Sequence, residues 1–95
     1  MISDYSRLHV AVWFSNGLFS VEEKNPQMVV EAVRSAPHGD WKTQLVRKEF
    51  LGMEKGQKGV LEEIWSNGEG WWCRVRLPCG RATDIDPRNL IAKPM

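Results

Sequence analysis

The sequence predicts an α+β domain that is mainly β: a small barrel or strongly bent antiparallel sheet with an N-terminal β-hairpin and one short helix. Three observations carry this reading. Short apolar runs alternate with Gly- and Pro-containing turns through residues 55–91. Asn16-Gly17 joins two apolar runs near the start, and both residues tolerate positive φ. One stretch, after Asn25-Pro26, has helical spacing. A chain of 95 residues that is 42% hydrophobic and 26% charged folds as one domain, residues 1–95, which excludes a multi-domain enzyme.

The hairpin opens the fold. Its strands occupy residues 8–14 and 18–21, with Val10, Val12 and Phe14 on a buried face and His9, Ala11 and Trp13 on the other. Asn25-Pro26 then reads as an N-cap followed by Pro at the first helical position, and the helix runs to Ala36, stopped by Pro37. Val29, Val30, Val33 and Ala36 recur on one face of it, and a helix this short needs a sheet to pack on. Residues 1–40 therefore form a hairpin-plus-helix extension of the sheet or barrel in residues 41–95.

His38-Gly39-Asp40 is a turn, and residues 43–50 are a strand. Residues 51–59 hold three glycines in a loop that lacks the Gly-Lys-Ser/Thr ending of a phosphate-binding loop. Residues 60–65 form a strand and residues 66–70 a hairpin turn. On the returning strand Trp71, Cys73, Val75 and Leu77 share one face, and Trp72, Arg74 and Arg76 share the other. Pro78-Cys79-Gly80 turns the chain into a strand over residues 81–85. Asp86-Pro87-Arg88-Asn89 is a turn or 3₁₀ piece before Leu90-Ile91. The expected core is Val10, Val12, Phe14, Val29, Val33, Leu45, Val60, Ile64, Val75, Leu77, Ile85 and Leu90.

Lys55-Gly56, the strand over residues 60–65, the polar Gly turn, Trp71-Trp72, Gly80 and Pro87-Arg88-Asn89-Leu90-Ile91 follow one another in an order and spacing that resembles a Src-homology 3 (SH3)-like barrel, including its bacterial versions. The resemblance covers residues 55–91. It implies a non-catalytic binding function, with Trp71 and Pro87 in an exposed groove. The tyrosine pair of the peptide-binding members has no counterpart, Tyr5 being isolated, and Leu90 stands in place of a third tyrosine. Recognition of a proline-rich peptide needs a row of aromatic slots, so this part of the resemblance is incomplete. Family position exposes Trp71, whereas strand alternation exposes Trp72.

Net charge is +1, which excludes a strong overall field toward nucleic acid or membrane. The charge is uneven: residues 1–40 hold 3 basic and 5 acidic side chains, and residues 41–95 hold 10 and 7. The candidate binding residues are Trp71, Trp72, Arg74, Arg76, Arg81, Pro87 and Arg88. Trp and Arg are favoured anchors for a protein partner, which makes an adaptor the leading expectation. The same side chains can stack on and neutralise single-stranded nucleic acid, the alternative. A third reading pairs the arginines with Glu62, Glu63 or Asp84 across the sheet. Trp13 and Trp65 are read as structural, and Trp41 is unassigned.

Catalysis finds little support. Adjacent Glu62 and Glu63 on a strand point to opposite faces, and Cys73 has no nearby His. The remaining enzymatic route is an oligomer with a shared central cleft. No cofactor or metal is expected, since a zinc site would have to draw on the distant His9 and His38. Residues 1–7 are polar and no apolar run suits a signal or a membrane span, so the expectation is a cytoplasmic protein with Cys73 and Cys79 reduced; its oligomeric state is left open, a homodimer being one option.

Overall fold

The computed structural model describes residues 8–37, 52–66, 68 and 70–95. Among these residues seven strands make two antiparallel sheets. β1 (His9–Phe14) and β2 (Gly17–Glu22) form the first. The second has five strands, β3 (Met28–Ala32), β4 (Lys58–Ser66), β5 (Trp71–Arg76), β6 (Ala82–Ile85) and β7 (Leu90–Pro94), in the order β6-β5-β4-β3-β7. β6 and β7 are its two edges, so the sheet does not close on itself. The expected turn at residues 38–40, the strand over 43–50 with Leu45, and Tyr5 and Trp41 lie outside the described residues.

The N-terminal hairpin forms as its pattern requires. Val12, Phe14 and Val21 are buried, and Phe14 meets Phe19 edge-on at a ring separation of 5.7 Å. Phe14 pairs with Gly17, so the two-residue turn is Ser15-Asn16, one residue earlier than expected. Gly17, with φ 132°, takes the conformation that only glycine adopts easily there. Asn16 is freed for another task. Its Nδ2 donates to the Ala92 carbonyl and its Oδ1 accepts from the Ala92 N–H, both at 2.9 Å, while the Ser15 N–H donates to the Leu90 carbonyl. The hairpin tip is thereby fastened to β7.

The expected helix over residues 26–36 is not formed. Met28–Ala32 is instead the strand β3, hydrogen-bonded to β4 on one side and β7 on the other. The same residues fit both periods, because Met28, Val30 and Ala32 alternate as cleanly as Val29, Val30 and Val33 recur. Two features decide for the strand. Gln27 has φ 55°, which breaks the chain direction after Pro26. A position between two neighbouring strands also satisfies both edges of β-branched Val29 and Val30, which a short isolated helix cannot match. Met28, Val30 and Ala32 are buried, whereas the expected core residues Val29 and Val33 are only half-buried. The only helical turn among the described residues is a 3₁₀ turn, Pro87–Asn89, so the molecule is mainly β rather than α+β.

β4 carries an irregularity that corrects two further expectations. Its register against β5 shifts between Leu61 and Glu63. Leu61 and Ile64, three residues apart, both turn inward, and Glu62 and Glu63 both reach cations on the outer side. The two glutamates thus do not point to opposite faces. Val60, expected in the core, is 48% exposed because its neighbours Gly59 and Leu61 take the inward positions. Past the bulge the Ile64 N–H donates to the Glu23 carbonyl, so the end of the hairpin borders β4 there. Ile64, Cys73, Val75, Leu77, Ile85 and Leu90 share one core with Val12, Phe14 and Val21 of the hairpin.

Candidate functional site

A groove of about 480 Å³ opens where the two sheets meet. Ala11, Val12 and Trp13 of β1 form one wall, and Gly70, Trp71 and Trp72 at the start of β5 form the other. Asp86, Pro87 and Arg88 of the 3₁₀ turn complete it. Each wall follows from local structure. Alternation in β1 buries Val12 and Phe14 and turns Trp13 outward, where it is 63% exposed beside its cross-strand partner Leu18. Trp71 shares the inward phase of Cys73 and Val75 but lies at the strand's first position, beyond the core, and is 39% exposed. Asp86 caps the 3₁₀ turn by accepting from the Arg88 N–H at 2.9 Å, and Pro87 is buried beneath the groove.

Four of the expected binding residues, Trp71, Trp72, Pro87 and Arg88, therefore line one surface. Trp72, which alternation makes the exposed ring, is half-buried, its ring centroid 6.3 Å from that of Trp65. Its indole N–H is buried and has no hydrogen-bond partner among the described residues. The Trp65 N–H, in contrast, donates to Asp84 at 3.1 Å.

Arg74, Arg76 and Arg81 lie elsewhere. Arg74 bonds Asp84 at 3.2 Å and approaches Glu63, and Arg76 grips both oxygens of Glu62 at 3.0 and 3.1 Å. Glu63 also takes Lys24 at 2.9 Å. Arg81 donates to the Gly52 carbonyl. The pairings of Arg74 and Arg76 are those of the third sequence reading, and they hold these two guanidiniums on the outer face rather than in the groove.

Electrostatics follow the geometry. The hydrogen bond from Arg76 holds the Glu62 carboxyl below its ordinary range. At Asp86 burial raises the carboxyl, but the Arg88 hydrogen bonds and the charges of Arg88 and Arg34 together outweigh it and the net shift is downward. Burial, reinforced by the charges of Asp86 and Asp84, pushes the Cys73 thiol far up and keeps it protonated. Both Cys73 and Cys79 are free. Among the described residues no three His, Cys, Asp or Glu side chains gather as a metal site, and no helix is long and apolar enough to cross a membrane.

Sequence reasoning missed Trp13, Ala11 and Asp86. A signal for Trp13 was present: a large aromatic on the solvent side of an amphipathic strand is an exposed apolar surface that calls for a use. Fold and groove together define a small antiparallel β protein with an indole-lined cleft between two sheets. No protein-family model matches the chain, and neither curated proteins nor solved structures give a match.

Proposed function

We propose that this chain is a non-catalytic binding module of SH3-like design, an adaptor that holds a protein partner in the groove between Trp13 and Trp71. The observation that carries the reading is the meeting of two exposed indoles, one from each sheet, over a floor of Pro87. Trp side chains give large contact area at low entropic cost and dominate protein interfaces. The SH3-like design is supported by a five-stranded order in which β7 returns to pair with β3, and by the 3₁₀ turn at Pro87–Asn89 just before β7. The non-catalytic reading is supported by ion-paired Glu62 and Glu63 and by the buried thiol of Cys73.

Quantitative affinity capture from nuclease-treated lysate tests it, using wild type, Trp71→Ala and Arg76→Ala side by side, with folding checked by far-UV circular dichroism. The expected result is a set of proteins lost with Trp71→Ala and retained with Arg76→Ala. Capture that is indifferent to Trp71→Ala, or that disappears on nuclease treatment of the wild type, overturns the proposal.

A further inference from the structure

On the outer sheet face four cations have carboxylate partners: Lys24 and Arg74 with Glu63 and Asp84, Arg76 with Glu62, and Lys93 with Glu31. At the 3₁₀ turn two guanidiniums share one acid. Arg88 binds Asp86 at 3.1 Å with its side chain 77% exposed. Arg34 donates to Asn89 Oδ1 at 2.6 Å and to the Arg88 carbonyl at 3.3 Å, and among the described residues no carboxylate forms an ion pair with it. Among the described residues, one end of the indole-lined cleft thus carries two guanidiniums against one carboxylate, while Trp13 continues into exposed Leu18 across the hairpin.

Resting on the binding-module reading above, we infer that the partner is an acidic peptide segment. It seats bulky apolar side chains on Trp13, Trp71 and Leu18 and directs a carboxylate to the guanidiniums of Arg34 and Arg88. A basic segment would bring like charges together at the turn, and a neutral one would leave the surplus unanswered. Complementary charge of this kind selects partners and speeds encounter more than it adds affinity, so the effect of each arginine is moderate and weakens with salt.

A display library of random twelve-residue peptides, panned on the wild type and on Trp71→Ala, provides the test. The peptides whose recovery requires Trp71 are expected to be net negative and to contain bulky apolar residues. Their synthetic forms are expected to bind Arg34→Gln about fivefold more weakly than wild type, with Arg34→Lys restoring the affinity. Trp71-dependent peptides that are neutral or basic overturn the acidic partner and leave the binding groove standing. If no peptide depends on Trp71, both proposals fall. Arg34-dependent binding of a decathymidylate strand that exceeds the best peptide overturns the acidic peptide in favour of single-stranded nucleic acid.

Discussion

At the residue scale the two neighbouring indoles Trp65 and Trp72 differ by one hydrogen bond. Trp65 satisfies its N–H on Asp84, whereas the buried N–H of Trp72 has no partner among the described residues. An unmade buried hydrogen bond costs about 1–3 kcal/mol, so the polar atom of Trp72 opposes folding while its ring supports it. Replacing each by Phe removes the N–H and shortens the ring equally. Trp72→Phe is therefore expected to cost about 1 kcal/mol less than Trp65→Phe, read from urea midpoints of the two variants. Equal losses would mean that the Trp72 N–H is satisfied in solution. Arg74 and Arg76 are further residues whose meaning depends on neighbours: their alternation on β5 and the acids Glu62, Glu63 and Asp84 were readable in the chain, but which guanidinium takes which carboxylate was not.

At the scale of elements β4 decides most of the geometry. Its bulge sends Leu61 and Ile64 inward together and lets the strand leave β3 for the end of the hairpin. Gly59 sits where β4 passes closest to β5, and a Cβ there would overlap Val75 Cγ1 and press on the Arg76 carbonyl. Gly59→Ala is thus expected to destabilise by about 1–3 kcal/mol through overpacking, although alanine suits strand backbone better than glycine. Chemical denaturation measures this, and a variant as stable as wild type would show that β4 and β5 can separate at little cost. β3 supplies the opposite lesson. Its five residues satisfy helical and strand periodicity alike, and only the flanking strands β4 and β7 select one.

For the whole molecule, stability is tied to pH by ion pairs, two of them between strands, Lys93 to Glu31 and Arg76 to Glu62, and one at the 3₁₀ turn, Arg88 to Asp86. Hydrogen bonds from these cations hold Glu31 and Glu62 below their ordinary values, and Asp86 is lowered despite opposing burial. A depressed carboxyl contributes fully above its unfolded value, about 4 for Asp and Glu, and that contribution is lost as pH falls through the lower folded value. The urea midpoint should accordingly be level near neutrality and decline below about pH 4. Glu62→Gln should flatten part of the decline, and an unchanged profile would indicate that the Arg76 pair is absent in solution.

The chain by itself determined the hairpin, the strands β4, β5 and β6, and the turns between β5 and β7. All of these rest on period-two patterns and turn residues, which are local signals. Tertiary structure decided the fate of Met28–Ala32, the inward phase on both sides of the β4 bulge, and the pairing of each arginine. It also brought Trp13 to Trp71, residues that no spacing along the sequence could relate. Local patterns state which side chains want burial or water, but which surfaces meet depends on hydrogen bonds and contacts between segments far apart in the chain.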